Sequence, residues 1–125
     1  MPPVRLALCQ ILCGSRDKAA NIAAAVAAVR EAALGKASIV SLPECWNAPY
    51  ATDQFPVYAE PIPATAAELD PVLHASTAAL SAAAAAAGVY LIGGSIPERG
   101  DDGRIYNTAV AFGPDGAILA RHRKM

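Results

Sequence analysis

Apolar positions along this chain fall into two patterns, short solid runs and longer sparse stripes. Residues 4–11 are apolar with few breaks, as in a strand buried on both faces. Gly14 and Ser15 then punctuate. In residues 17–33, Ile22, Val26, Val29 and Ala33 recur at i, i+4, i+7 and i+11, one stripe of a helix. Ser15 or Asp17 can cap its start, and Gly35 ends it. Ile39-Val40-Ser41-Leu42 predicts a second buried strand, stopped by Pro43. Across residues 45–64, Pro49, Pro56, Pro61 and Pro63 remove backbone donors and predict an irregular loop. Trp46, Tyr50, Phe55 and Tyr58 give it bulk, so it either covers something or packs on itself. Thr65-Ala66-Ala67-Glu68 fits a capping box, and Asp70-Pro71 an N-cap followed by proline. A second helix over residues 65–87, with a restart at Asp70, is therefore expected to stop at Gly88.

Val89-Tyr90-Leu91-Ile92 predicts a third buried strand, with Gly93-Gly94-Ser95 at its end. After a polar turn at residues 100–103, residues 106–112 and 117–122 predict two more strands. Gly113-Pro114-Asp115-Gly116 joins them as a hairpin. The expected order is β-α-β-α-β-β-β. Strands alternating with helices make this an α/β chain, a parallel sheet with crossover helices extended by an antiparallel hairpin.

Length narrows the picture to one domain, residues 1–125. Thirty alanines inflate the 54% hydrophobic share, leaving large apolar residues for one modest core. The run of alanines at residues 82–87 suits the thin end of a helix close to a sheet. A net charge of −1 with 17% charged residues speaks against a nucleic-acid partner and against a polybasic membrane surface. No apolar run reaches membrane-spanning length, and residues 1–5 lack the layout of a secretory signal. Cys9, Cys13 and Cys45 are odd in number and have no metal-ligand spacing. Reduced thiols in a cytoplasmic setting are expected.

Sites in such sheets form beyond the carboxyl ends of strands. Leu42-Pro43-Glu44 puts a carboxylate there. Beside Trp46 it would be partly desolvated, with a raised pKa suited to a general base; a solvated loop glutamate is the alternative. Lys124 shares the strand parity of Ile118, Ala120 and His122, and either reaches into a pocket as an electrostatic clamp or frays into solvent. Cys45 adjoins Glu44, but neighbours on an extended chain point opposite ways. Cys9 and Cys13 suit core filling, and His74 a structural or exposed place in a helix. HExxH, CxxC and G-x-G-x-x-G are missing, so no metal and no cofactor is expected.

Taken together, the segments point further. Val40-Ser41-Leu42-Pro43-Glu44-Cys45-Trp46-Asn47-Ala48-Pro49-Tyr50 resembles the glutamate-bearing motif of the nitrilase (carbon–nitrogen hydrolase) superfamily. Tyr90-Leu91-Ile92-Gly93-Gly94-Ser95-Ile96-Pro97-Glu98, Tyr106-Asn107-Thr108 and Phe112-Gly113-Pro114-Asp115-Gly116 resemble its next blocks. His122-Arg123-Lys124 resembles its lysine motif. The wording is most similar to the omega-amidase branch. The resemblance implies the N-terminal half of an α-β-β-α sandwich and a Cys-Glu-Lys triad. In that triad a cysteine thiolate forms a thioester, a glutamate shuttles the proton, and a lysine stabilises the oxyanion. It makes Glu44 the general base, Lys124 the oxyanion stabiliser and Tyr50 a candidate substrate contact. None of the three cysteines has the context of the family's nucleophile, so the resemblance implies a partial domain truncated before that cysteine and inactive alone. The intact enzyme would take a small amide substrate, the terminal amide of a dicarboxylic acid monoamide such as 2-oxoglutaramate, and assemble as a homo-oligomer. The alternatives are a fragment of a ureidopropionase- or nitrilase-type relative, or a non-catalytic short product that binds a full-length subunit through its exposed sheet edge.

Overall fold

Three hydrogen-bonded strands with two helices crossing between them, then an antiparallel meander, make up the chain in its computed structural model, which describes residues 2–125. The elements are β1 (Leu6–Leu8), α1 (Lys18–Leu34), β2 (Ile39–Ser41), α2 (Phe55–Tyr58), α3 (Ala75–Ala87), β3 (Tyr90–Arg99), β4 (Ile105–Phe112) and β5 (Ile118–Arg123). The sheet order is β1-β2-β3-β4-β5. The first two pairings are parallel and the last two antiparallel. This is the α/β architecture expected from the order of elements.

Both long helices lie on one face of the sheet. Ala7, Val40, Leu91, Phe112 and Ile118 point into the core there, with Val29, Leu80 and Ala84 from the helices. The other face is open. Leu6 is 55% exposed, Leu8 73%, Tyr90 51% and Ile92 43%. The solid apolar runs predicted strands buried on both faces, and within this chain only one face is covered. β1 is also shorter than residues 4–11, because it pairs only from Leu6 to Leu8.

The helices show what alanine hides. Asp17 caps α1, accepting from the Ala20 N–H. Its buried residues are Asn21, Ala25 and Val29. Of the predicted stripe Val29 is fully buried, Ile22 and Ala33 pack partly buried against the core, and the stripe is centred closer to Ala25 than to Val26. Alanine at the contact lets α1 approach β2 and α3 closely, and this turns Val26 towards the outer groove between the helices. The second helix starts late. Residues 66–68 form one 3-10 turn, Asp70 accepts from the Val72 and Leu73 N–H groups, and α3 begins only after His74. That histidine is buried at the helix boundary, and its Nδ1 accepts from the Asp70 N–H. Gly88, left-handed at φ 65°, ends α3.

β3 departs most from expectation. Gly93-Gly94-Ser95 lies inside the strand, not at its end. The register against β4 slips by one residue between Ile92 and Ser95, a bulge that the two glycines permit. Beyond it the strand continues to Arg99. There the loop of residues 43–64 returns to the edge of β3, Glu60 pairing with Glu98 through the backbone.

Candidate active site

The turn after β2 carries Glu44, and the β3 bulge holds that turn in place. Ser95 N–H donates to the Pro43 carbonyl at 3.3 Å, and the Cys45 N–H donates to Ser95 Oγ at 3.0 Å. Trp46, fully buried, donates from Nε1 to the Gly93 carbonyl at 2.8 Å. Gly94 sits at φ +62°, and a Cβ there would lie 2.0 Å from the Pro43 oxygen. No other residue allows so close an approach. Asn47, also buried, donates from Nδ2 to Ser76 Oγ at 2.9 Å and to Glu60 Oε2 at 3.1 Å. Residues on either side of Glu44 are thus fastened to the covered side of the sheet, and its carboxylate is left on the open side.

Three side chains meet that carboxylate. Lys124 Nζ donates to Oε1 at 2.9 Å, Asn107 Nδ2 to Oε1 at 2.7 Å, and Tyr50 Oη to Oε2 at 2.8 Å. Lys124 arrives from 80 residues away, just past β5, its N–H donating to the Asn107 carbonyl at 2.8 Å. The strand parity read from Ile118 does not hold along β5, because the register against β4 slips between Ala111 and Phe112 and leaves Ile118 on the covered face. Past the slip, His122 and Lys124 share a parity and line one open hollow of about 320 Å³ with Glu44, Ser95 and Asn107. The groove between α1 and α3 is larger, about 670 Å³, but alanines line most of it and it holds no carboxylate.

Two expectations are corrected here. Burial beside Trp46 was to raise the Glu44 pKa. Instead the Lys124, Tyr50 and Asn107 hydrogen bonds hold it at about 2, outweighing a small desolvation effect. Trp46 turns away into the core, so it removes little water from Glu44. The Cys45 argument also rested on an extended chain, whereas Cys45 has φ 49° inside a turn. Its thiol is 3% exposed and 4.0 Å from Ser95 Oγ, and burial pushes its pKa up. Such a thiol carries little thiolate at neutral pH. Cys9 and Cys13 pack partly buried against the core.

Tyr50 contacts Glu44 itself and is 72% exposed. Asn107 was missed as a site residue. Its signal was present, since it shares open-face parity with Ala109 and Ala111 on β4, but parity counts only once β4 is known to lie between β3 and β5. Among the described residues no group of three or more His, Cys, Asp or Glu could hold a metal ion, and no helix is long and apolar enough to cross a membrane.

The chain is 50% identical to the omega-amidase NIT2 of Mus musculus and 48% identical to that of Homo sapiens, in each case over 100% of this chain and 41% of the relative. It spans about two fifths of the length of these curated relatives. Nit3 of Saccharomyces cerevisiae, a member of branch 10 of the nitrilase superfamily, superposes with a TM-score of 0.86 at 36% identity, covering 98% of this chain and 44% of that one. An amidase from Nesterenkonia sp. shares the fold, with a TM-score of 0.76 at 23% identity over 97% of this chain and 42% of its own. Residues 5–125 match the family described as carbon-nitrogen hydrolase, and with a carboxylate and a lysine brought together at the mouth of a nitrilase-type sheet, the chain belongs to that family.

Proposed function

We propose that this chain is the N-terminal part of an omega-amidase-like hydrolase that cleaves the terminal amide of a small dicarboxylic acid monoamide, of the 2-oxoglutaramate type. The observation that carries the reading is the Glu44–Lys124 contact at 2.9 Å, in a chain similar along its whole length to omega-amidases. A cysteine thiol supplied by further polypeptide attacks the amide carbonyl. Glu44 takes the thiol proton and passes it to the departing ammonia, then draws a proton from the water that opens the thioester. Lys124 stabilises the oxyanion of each tetrahedral intermediate.

The low pKa of Glu44 fits this sequence of steps. Lys124 is the largest cause of it. When Lys124 turns its ammonium towards the oxyanion, Glu44 loses that donor and its affinity for a proton rises. Oxyanion stabilisation and proton uptake are coupled through one salt bridge. Tyr50 keeps the carboxylate oriented meanwhile and presents its exposed ring to the substrate.

The test begins with the coding sequence past residue 125, which is expected to continue in frame to a cysteine. The protein so completed should release ammonia from 2-oxoglutaramate. Glu44→Gln and Lys124→Ala should each lower kcat about 100-fold or more. Near-normal turnover in either variant refutes the role assigned to that residue. The 125-residue chain alone is expected to release none.

A second reading draws on the open face. Leu6, Leu8, Tyr90 and Ile92 form an exposed apolar band, and β5 leaves one sheet edge unpaired. A short product of this sequence would then be non-catalytic and bind a full-length subunit. A stop codon after residue 125, with stable protein in cells that co-purifies with such a subunit, would favour it.

A further inference from the structure

The side of the sheet opposite the site contains a second ion pair that the proposed chemistry does not use. Glu98 on β3 is 2% exposed. Both its oxygens are taken by one arginine: Arg123 donates from Nε to Oε2 and from Nη2 to Oε1, each at 2.9 Å. The Thr108 hydroxyl, on the strand between them, donates to Oε2 as well. The Arg123 guanidinium lies 3.9 Å from the centroid of the Tyr106 ring, and Tyr106 Oη donates to Asp102 at 2.6 Å. Arg121 Nη1 stands 3.9 Å from Glu98 and donates to the Ile62 carbonyl at 2.7 Å. A fork into a buried carboxylate, with a ring beneath it, is a strong and directional grip.

Arg123 precedes Lys124. On an extended strand, consecutive side chains point to opposite faces. Thr108, Ile96 and Val110 place Arg123 on the helix-covered face. Asn107, Ser95 and His122 place Lys124 on the open one. Lys124 has little to hold it on its own side. It is 66% exposed, lies past the last residue of an edge strand, and has one side-chain partner, Glu44. Strand ends of this kind fray unless something ties them down. Here one backbone bond, from the Lys124 N–H to the Asn107 carbonyl, joins the end to β4, and the side-chain tie is on the back of the sheet, one residue away.

We propose that Glu98 is a positioning residue for the Glu44–Lys124 pair: by gripping Arg123 on the covered face, it holds the end of β5 so that the Lys124 ammonium stands over Glu44. The significance for turnover rests on the catalytic reading of Lys124 above; the mechanical claim does not. Arg123 and Lys124 then divide the work of one dipeptide between anchoring and reacting.

Reductive methylation of the 125-residue chain, read lysine by lysine by peptide mass spectrometry, tests the claim. A lysine held on a carboxylate reacts more slowly than a free one. Lys124 is expected to react several-fold more slowly than exposed Lys36. In Glu98→Gln, Lys124 should react about tenfold faster than in the parent, the equivalent of one pKa unit, with Lys36 unchanged. Arg123→Gln should act in the same direction, and Thr108→Val, a milder lesion, keeps the test available if the first two melt the sheet. A lower melting temperature with Lys124 as slow as before makes Glu98 merely structural and overturns the proposal. Equal rates for Lys124 and Lys36 in the parent chain overturn it too. In the completed enzyme, Glu98→Gln should lower kcat with KM nearly unchanged. If instead Lys124→Ala keeps its turnover while methylation still depends on Glu98, the catalytic reading fails and the grip stands.

Discussion

Glu44 shows how a single residue's chemistry depends on contacts far from it in the chain. Its place, directly after a strand, is local and readable. Its charge state depends on Lys124 and Asn107, 80 and 63 residues away, together with Tyr50. Adjacency to Trp46 suggested the opposite sign, because adjacency says nothing about which way the indole turns. A pH dependence follows. Glu44 has its folded pKa depressed to about 2 from an ordinary 4.5. Its contribution to stability is present above pH 4.5 and is lost as pH falls through about 2. Lys124 has its pKa raised above an ordinary 10.5; its contribution is present below pH 10.5 and is lost as pH rises through the folded value. Both groups are more than a third exposed, so solvent screening keeps the effect small. Thermal melting followed against pH should fall off below pH 4.5, and Glu44→Gln should flatten part of that slope. The remainder is shared by three other carboxylates. Glu98 also has a lowered pKa: burial opposes the shift, but Arg123 and Thr108 prevail. Asp70 is lowered by the Leu73 and Val72 N–H groups, and Asp102 by Tyr106 and the Arg104 N–H.

At the scale of elements, β3 is the part that positions the site, and its glycines carry a precise requirement. Gly94→Ala puts a methyl group against the Pro43 oxygen in a left-handed residue. It should cost about 3 kcal/mol by strain and overpacking together, read as a lower midpoint in denaturant unfolding. It should also displace the Glu44 turn and weaken any activity of the completed enzyme. Gly88→Ala is the control. It has a similar φ of 65° but nothing within 4 Å of its Cβ, so only the conformational cost remains, about 1 kcal/mol. The element order and most boundaries were legible from periodicity and punctuation. The bulge was not, because two glycines after an apolar run read equally as a strand's end or its interior. The α1 face was legible only in part: Val29 is buried, but Val26 turns to the outer groove. Alanine is apolar enough to be buried and small enough to be exposed, so an alanine-rich helix carries a weak stripe.

At the scale of the whole molecule, the dominant feature is a sheet covered on one side. The site lies on the uncovered side, continuous with the band of Leu6, Leu8, Tyr90 and Ile92. The isolated chain should therefore bind an apolar dye and self-associate at micromolar concentration. Leu8→Lys with Ile92→Lys should reduce both, as measured by dye fluorescence and sedimentation velocity. Unchanged association in that variant would mean that contacts elsewhere, such as the α1–α3 groove, hold the copies together.

The sequence by itself determined the alternation of strands and helices, the hairpin, the shared parity of His122 and Lys124, and the family to which the ordered motifs belong. These are local properties: spacing, turn chemistry and the reach of a strand's two-residue period. Only the tertiary structure decided that one face is bare, that β3 bulges at Gly93-Gly94, and that Asn107 and Tyr50 join Lys124 on Glu44 while Glu98 grips Arg123 behind them. Each of these depends on which strand lies beside which and in what register. Register is settled by the packing of the sheet as a whole, since a slip of one residue at the bulge turns every later side chain of β3 to the other face.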